Sequence, residues 1–391
     1  MELLSKVYDK RINSLNMLAE CSFEEYLSFA KMIKDNNAFQ RKRVKTSKTV
    51  YSLLKEDLKQ GCVIPPIVLA ISKNIDEDDS DLYSIILNNI DSVMILDGLQ
   101  RTYTLIDADS DMSTNDSNEY TRFLSNKMRI EIYANLNKFG VLYRMLTLNT
   151  GQTPMSLRHQ MEMLYSDMLD DDIEGVHLIK DIDGKADADE NEFVFKNTID
   201  GFNSYLTRSV LPIGREDLLD NISIMEKMAE EHIEEDLYKD YLESYVKLFN
   251  AFNIITEGYE IQQSDLDDYK ISGNPFGKKT SKIFSTSQAM TGFGSAIGKL
   301  RDAQIIHSFK ELDQKTQALI ESYKGHGEHM WMLELISCLD NIRNTSKKIG
   351  NSQRMLFHYF VRELMNPDSD SYLKLDDAVK NAYQKYLIQV V

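Results

Sequence analysis

The spacing of apolar residues changes along this chain, and the change limits the folds that the chain can adopt. From about residue 215 onward, apolar residues recur at three- and four-residue intervals, the spacing that buries one face of a helix. The first 165 residues mix such stretches with short apolar runs typical of buried strands. The sequence therefore predicts an α+β fold class, with an N-terminal domain built on a small mixed sheet at 1–170, an acidic connector at 171–214, and a mainly α-helical bundle domain at 215–391.

The charge of the chain restricts its partners. Its 391 residues include 62 acidic and 45 basic side chains, a formal net charge of −17. A basic coat over the whole molecule is excluded, so any contact with DNA or RNA requires a local basic patch. No stretch approaches the length of an apolar membrane span, so no membrane partner is expected. The charged start of the chain also lacks the apolar stretch of a secretory signal.

The pattern of cysteines indicates the redox environment of the protein. Cys21, Cys62 and Cys338 are odd in number and widely spaced, and they form no zinc-binding or CxxC pattern. We interpret them as free buried thiols of a protein in a reducing environment. The sequence therefore predicts a cytoplasmic location.

Local patterns place several elements of the N-terminal domain. Ser22 and Glu25 have the spacing of a capping box, which predicts a helix over 22–36. The other predicted elements are a helix at 47–60, strands at 67–71 and 128–134, a helix at 139–149, and a hairpin made of strands at 83–87 and 92–96.

The sharpest local feature is Asp97-Gly98-Leu99-Gln100-Arg101, where a predicted strand meets a predicted helix without a spacer. A glycine here lets backbone N–H groups face outward at a helix start, which favours anions. The Arg101 guanidinium suits phosphate oxygens, and Asp97 could hold a metal ion or orient a water molecule. The alternative is an ordinary strand–turn–helix junction in which Asp97 caps the helix and Arg101 pairs with an acid.

A dense basic run is the second candidate. It follows Phe39 and Gln40 and consists of Arg41, Lys42 and Arg43, extended by Lys45, Lys48 and Lys55. Clustered positive charge in an acidic chain predicts a phosphate-binding or nucleic-acid-binding edge. The alternative is a solvated face that precedes a helix.

A polar segment between two predicted helices is the third candidate. Asn149, Gly151 and Gln152 could line a nucleotide. Equally, Asn149 and Gly151 could end one helix while Ser156 caps the next.

Other motifs are weaker. The acidic segment 180–192 lacks an oxygen ligand at the first position of a calcium loop. His326, Glu328 and His329 do not have the HExxH spacing of zinc proteases, and 273–281 lacks the spacing of a phosphate loop. We interpret the first as a solvated loop, the histidines as surface or capping residues, and the last as a lysine-rich loop.

Taken together, these segments resemble the ParB/sulfiredoxin superfamily over roughly residues 35–165. The resemblance rests on Gln40-Arg41, on Ile64-Pro65-Pro66-Ile67, on Asp97 to Arg101 with Thr104-Leu105, and on Asn149 with Gly151. The chain looks most similar to the branch with a DGQQR or DGQHR signature. That branch includes the GmrSD-type modification-dependent restriction proteins and the DndB-like proteins of DNA phosphorothioation systems.

The resemblance implies a ParB-like fold that binds a nucleoside triphosphate or DNA in prokaryotic DNA modification or phage defence. If the protein is a hydrolase, it would cleave a phosphoanhydride or phosphodiester bond. Asp97, Gln100 and Arg101 would be catalytic, with Asp97 holding Mg²⁺ or Mn²⁺. The nucleotide or phosphate would contact Gln40, Arg41, Gly98, Thr102, Asn149, Gly151 and Gln152, and DNA would contact Arg41, Lys42, Arg43, Lys45 and Lys48.

A second functional hypothesis stays open. Leu99 occupies the position where the family usually has glutamine, and a leucine side chain neither donates nor accepts hydrogen bonds. We see no nuclease-like motif in the helical half. Both features favour a non-catalytic, DndB-like regulator or assembly factor that contacts a protein partner through its helical domain. A protein-binding scaffold that retains the fold without the site is a third possibility.

Overall fold

The computed structural model describes residues 1–36, 48–73, 75, 81–114, 116–148, 158, 161–162, 165, 168–169, 172–180, 192–211, 237–271, 274–324 and 328–390. At 34–36, 48–50, 138, 139, 142, 146 and 390 it describes the backbone alone. The chain divides into two compact units, Met1–Leu164 and Tyr165–Val391. The first contains a mixed five-stranded sheet and the second is mostly helical, so the predicted α+β fold class is confirmed.

The sheet of the first unit has the strand order β1-β2-β5-β3-β4. Strands β3 and β5 are parallel, and the other neighbours are antiparallel. The strands are β1 (Glu2–Asp9), β2 (Ser14–Ser22), β3 (Ile67–Ile71), β4 (Val93–Asp97) and β5 (Lys127–Ala134). The strands predicted at 67–71, 92–96 and 128–134 are therefore confirmed, whereas the β1–β2 hairpin was not predicted.

Helices pack against this sheet, and the first of them, α1 (Phe23–Asn36), begins where the capping box predicted. Ser22 Oγ accepts from the Glu25 backbone N–H at 3.1 Å, and Glu25 Oε2 accepts from the Ser22 N–H at 2.8 Å. The two bonds satisfy donors that a helix start leaves without intrahelical partners. The helices are α1 (Phe23–Asn36), α2 (Lys48–Lys59), α3 (Leu82–Asn88), α4 (Leu99–Met112), α5 (Ser117–Ser125) and α6 (Lys138–Leu148).

The predicted hairpin at 83–87 and 92–96 is wrong in its first strand. That stretch forms α3, because Asp81 accepts from the Ser84 backbone N–H at 3.2 Å and from the Ser84 hydroxyl at 2.6 Å. Leu82, Ile85 and Ile86 are buried at helical spacing. The antiparallel partner of β4 is instead β3.

Part of the predicted acidic connector is ordered structure in the second unit. Strands β6 (Asp172–Ile173), β7 (Val176–Ile179) and β8 (Glu192–Val194) form a small sheet. Helix α7 (Phe195–Thr207) follows, with its aromatic side chains buried. Five of the ten acidic residues at 171–214 lie at 181–191, outside the described residues. Because of these charges, the apolar residues of the segments on either side were not recognised as parts of strands and a helix.

The described residues from 237 onward are mostly helical, as predicted for the C-terminal domain. Its described helices are α8 (Leu237–Ile255), α9 (Gln263–Asp268), α10 (Thr280–Phe284), α11 (Ser287–Asp302), α12 (Phe309–Ser322), α13 (Met330–Thr345), α14 (Ile349–Met365) and α15 (Leu375–Val390). Helix α11 is buried along most of its length and packs on α7 and α14. The approach to α7 is close, because a Cβ on Gly294 would lie 2.1 Å from the Gly201 carbonyl oxygen.

Two of the three cysteines are buried free thiols, as predicted. Burial raises the pKa of Cys21 and of Cys338 to about 12. Cys62 is exposed, so its predicted burial is wrong. No described helix combines the length and the apolar content that a membrane crossing needs.

Candidate functional site

The turn between β4 and α4 has a backbone that only glycine adopts without strain. Gly98 has φ of 98°, in the left-handed region, and it precedes α4 without a side-chain cap. A Cβ at this position would lie 3.0 Å from Ile67 Cγ1. Among the described residues, the first-turn N–H groups of Leu99, Gln100 and Arg101 have no hydrogen-bond partner. Such groups, at the positive end of the helix dipole, can donate to an anion.

Arg101 is held by contacts within the first unit. Its NH1 atom donates to the carbonyl oxygens of Pro65 at 2.6 Å and Pro66 at 3.0 Å. Its NH2 atom donates to Asp97 Oδ2 at 2.5 Å in an ion pair. A guanidinium has five N–H groups, so these contacts leave two for a ligand. This pairing is the one expected for an ordinary strand–turn–helix junction, in which Arg101 pairs with an acid. It joins the start of α4 to the end of β4.

Thr102 faces the interior. Its side chain is fully buried, and its hydroxyl lies 2.7 Å from the Tyr26 hydroxyl and 3.1 Å from the Gly98 carbonyl oxygen. Burial raises the pKa of Tyr26, so this phenol stays neutral. The predicted phosphate contact of Thr102 is inconsistent with this position. Thr102 instead stabilises the turn at Gly98 from the interior of the first unit, through its hydrogen bond to the Gly98 carbonyl oxygen.

Replacing Tyr26 with phenylalanine tests this support. The variant removes one partner of the buried Thr102 hydroxyl, and we expect the free energy of unfolding of the first unit to fall by about 1 kcal/mol. Urea unfolding followed by far-UV circular dichroism would measure the change. Tyr83→Phe is the control, because the Tyr83 hydroxyl contacts Ser28 at an exposed position. Equal stability of Tyr26→Phe and the parent protein would contradict the supporting role.

Three polar groups remain accessible around the turn. The side chain of Gln100 is half-buried, and neither it nor Asp97 Oδ1 has a hydrogen-bond partner among the described residues. The first-turn N–H groups of α4 are the third. Within the described ranges no group of three or more histidine, cysteine, aspartate or glutamate side chains is arranged to hold a metal ion. The turn can therefore offer hydrogen bonds and one free carboxylate oxygen.

A polar network on the outer face of the sheet was missed by sequence reasoning. Glu131 Oε1 accepts from Asn16 and from the Tyr133 hydroxyl, each at 2.7 Å. The guanidinium of Arg144 lies 4.5 Å from the centre of the Tyr133 ring and pairs with Asp9. Alternation along β5, with polar Arg129, Glu131 and Tyr133 two residues apart, is the pattern that could have revealed it.

This network shares a sheet row with Asp97. Val68 of β3 is the register partner of both Asp97 in β4 and Glu131 in β5. Neighbouring strands are about 4.8 Å apart, so the two acidic residues are separated by roughly 10 Å along this row. No described cation pairs with Glu131. Glu131 thus lies two strands away from Asp97, across β3.

The other predicted site residues cannot be placed against this turn. Gln40, Arg41, Lys42, Arg43, Lys45, Asn149, Gly151 and Gln152 lie outside the described residues, and Lys48 is described by its backbone alone, at the start of α2. Their predicted contacts with nucleotide or DNA stay predictions.

The weaker motifs are partly described. His329 stacks on the Tyr259 ring at 3.9 Å between centroids and precedes α13, as expected for a capping position. Lys279 lies 3.6 Å from Glu260, which fits the lysine-rich loop. His326 and residues 181–191 of the acidic segment are outside the described residues.

A scan against protein-family models and searches of curated proteins and solved structures found no match for this chain.

Proposed function

We propose that the first unit binds the phosphate groups of a nucleotide at the β4–α4 turn, and that the protein acts on or around DNA in a prokaryotic modification or defence system. The observation that carries the proposal is the start of α4. A left-handed glycine and a helix start without a side-chain cap leave three backbone donors without partners in the described residues. The setting around DNA is taken from the resemblance to the ParB/sulfiredoxin superfamily.

The residue roles follow from the contacts at the turn. Backbone N–H groups of the first turn of α4 would donate to a phosphate, and Gln100 would orient it through its side-chain amide. Arg101 would contribute its two remaining N–H groups and its charge, while its bonds to Pro65 and Pro66 keep it in place. Because Asp97 balances that charge, backbone dipoles would supply much of the attraction.

A divalent metal ion fits this site through a single protein oxygen. Asp97 Oδ2 is taken by Arg101, which leaves Asp97 Oδ1 as the ligand. Mg²⁺ in nucleotide sites is commonly held by one or two carboxylates together with phosphate oxygens and water. A bound ion would neutralise charge on the phosphates, and Asp97 would hold it beside the start of α4.

A non-catalytic regulator is the second candidate function. The observation that favours it is the commitment of Arg101 to Asp97, Pro65 and Pro66. A guanidinium held in this way is less free to follow charge that develops in a transition state. In this case the nucleotide would act as a switch, and the helical unit would contact a protein partner.

A thermal-shift and phosphate-release screen tests the proposal. Purified protein would be mixed with ATP, GTP, CTP, UTP or deoxynucleotides and Mg²⁺ or Mn²⁺. Saturation to about 100 times Kd stabilises a folded protein by about 2.7 kcal/mol, so we expect one nucleotide to raise Tm by several degrees. Phosphate release would indicate an enzyme, and a shift without release would indicate a switch.

Two variants locate the site. Gln100→Ala should weaken the nucleotide-dependent shift without changing the Tm of the free protein, since this side chain has no partner among the described residues. Arg101→Ala should remove the shift and also lower the Tm of the free protein. Gln60→Ala, at an exposed position after α2, is the control. A nucleotide shift that both site variants retain, or no shift with any nucleotide, would refute the proposal.

A further inference from the structure

An open cleft in the first unit is lined mainly by residues from the C-terminal ends of α2, α4 and α5. Its volume is about 470 Å³, within the range of about 300–1,000 Å³ that small-molecule sites occupy. Its apolar lining consists of the buried side chains of Met112 and Phe123. The cleft is about 20 Å from the β4–α4 turn, because Leu99 and Met112 are at opposite ends of α4.

The lysine that lines this cleft is already neutralised. Lys59 Nζ donates to Glu56 Oε1 and pairs with Asp111 Oδ2, each at 2.9 Å. Lys55 lies 2.7 Å from the same Asp111 oxygen. The charges of these four side chains sum to zero, so Lys59 adds little attraction for an anion. Any charge that selects a ligand must therefore come from other side chains of the cleft.

Glu119 and Arg122 are exposed charged side chains of α5 that line the same cleft. Side chains three residues apart lie on one face of a helix, with their Cβ atoms about 5–6 Å apart. No ion pair joins the two, and neither side chain has another partner in the part of the chain that the structure describes. A direct pair of exposed side chains at this spacing stabilises a helix only slightly. A ligand that takes both charges therefore meets little competition.

The side-chain amide of Asn126 is a third polar group of the cleft. The Asn126 backbone is held, since its N–H donates to the Phe123 carbonyl oxygen at 3.2 Å and its carbonyl oxygen accepts from the Phe23 N–H at 2.9 Å. The half-buried side chain lies beside Gly61, where a Cβ would be 3.4 Å from Asn126 Oδ1. Its amide has no hydrogen-bond partner within the described ranges. It therefore offers both a donor and an acceptor to a ligand.

We propose that this cleft binds a free α-amino acid. Arg122 holds the carboxylate through two parallel hydrogen bonds, and Glu119 pairs with the ammonium group. Asn126 donates to the carboxylate or accepts from the ammonium group, while Met112 and Phe123 contact an aliphatic side chain. The two charges of an α-amino acid are carried on one carbon atom, so one molecule reaches both charged side chains. Phosphate fits less well because Glu119 repels it, and an amine without a carboxylate leaves Arg122 unpaired.

Met112 provides a local readout of binding. Full-length protein labelled with ¹³C at the methionine methyl groups would be titrated with each standard L-amino acid and followed by NMR, and Met112→Leu would assign the signal. We expect an aliphatic amino acid to give a saturable change at the Met112 signal, with a Kd on the order of 1 mM. Absence of a saturable change with every amino acid would overturn the proposal.

Blocked amino acids test the two charges of the ligand separately. The N-acetyl derivative of the amino acid that binds most tightly lacks the positive charge, and its amide lacks the negative charge. Each should bind about tenfold or more weakly than the free amino acid, the usual effect of losing a hydrogen bond between charged groups. If either derivative bound as tightly as the free amino acid, the cleft would not recognise a zwitterion and the proposal would be wrong.

Variants assign the two charges to side chains of α5. Glu119→Gln should weaken amino-acid binding by about tenfold or more. Glu24→Gln is the matched control, because Glu24 also lies in the first turn of a helix but does not line the cleft. Arg122→Lys keeps a cation in the last turn of α5 and loses the paired hydrogen bonds, so it should weaken binding by a similar factor. Unchanged affinity in either cleft variant would refute the proposal.

The same variants separate this site from a structural role and from the β4–α4 turn. An acid in the first turn and a cation in the last turn also stabilise a helix through its dipole. Arg122→Lys keeps that effect, so its Tm should equal that of the parent protein while its amino-acid affinity falls. A lower Tm with unchanged affinity would assign Arg122 to helix stabilisation alone. Gln100→Ala should not alter the Met112 response, and loss of the response there would place the ligand at the β4–α4 turn and refute this site.

Discussion

Replacing Gly294 with alanine is expected to lower the free energy of unfolding of the second unit by about 3 kcal/mol. The added Cβ would lie 2.1 Å from the Gly201 carbonyl oxygen and 2.9 Å from the Tyr205 backbone nitrogen. Both atoms belong to the backbone of α7, so relief requires the two helices to separate. The overpacking outweighs the gain of up to about 1 kcal/mol that alanine gives in a helix. A unit of this size should lose roughly 6–12 °C in Tm, measured by differential scanning calorimetry.

A second glycine controls for the substitution itself. Gly350 lies in the first turn of α14, where an added Cβ meets only the end of the Arg354 side chain, at 3.2 Å. Gly350→Ala should therefore leave Tm unchanged or slightly higher. If Gly294→Ala were as stable as Gly350→Ala, the close packing of α7 on α11 would be incorrect.

Replacing Trp331 with alanine should lower the free energy of unfolding of the second unit by as much as Gly294→Ala or more. The side chain is fully buried between Phe252, at 5.3 Å, and Phe360, whose ring is nearly parallel at 6.0 Å. Its Nε1–H donates to the Glu328 carbonyl oxygen at 3.0 Å. Loss of the indole leaves a cavity among aromatic rings, and such truncations cost about 3–5 kcal/mol. We expect a Tm lower by roughly 10 °C or more.

The neighbouring residue supplies the control. Met330 is 47% exposed, so Met330→Ala should change the free energy of unfolding by less than about 0.5 kcal/mol. The Tm of Trp331→Phe should lie between those of Trp331→Ala and Met330→Ala, because the phenylalanine ring fills part of the cavity. A tolerated Trp331→Ala would contradict the placement of α13 in the core.

The fold class could be predicted from the sequence because it depends on local patterns. The Ser22–Glu25 capping box determines where α1 begins, and the alternation in β5 reveals a strand with one buried face. The failures have physical causes. The apolar residues of 82–88 suit a strand or a short helix, and the Asp81 cap selects the helix. Acidic residues at 181–191 obscured the buried helix α7 that follows them.

The candidate site could be predicted only in part. The position of Gly98 between a strand and a helix follows from sequence order, and the structure bears it out. The direction of the Arg101 side chain does not follow from sequence order, because its partners at Pro65 and Pro66 are distant in the chain. Thr102 looked suitable for phosphate, yet tertiary packing against Tyr26 turns it inward. The Glu131 network depends on strand register, which local patterns do not determine.

The contact between α7 and α11 has a consequence for the order of folding. Its backbone atoms belong to residues 201 and 294, so the intervening chain must close into a large loop before they meet. Closing such a loop costs entropy that only the completed contact offsets, and contacts of this kind slow folding. On the ribosome, the side of α7 that carries Gly201 therefore stays uncovered until α11 has been synthesised. Chains interrupted between these helices would present that surface to chaperones.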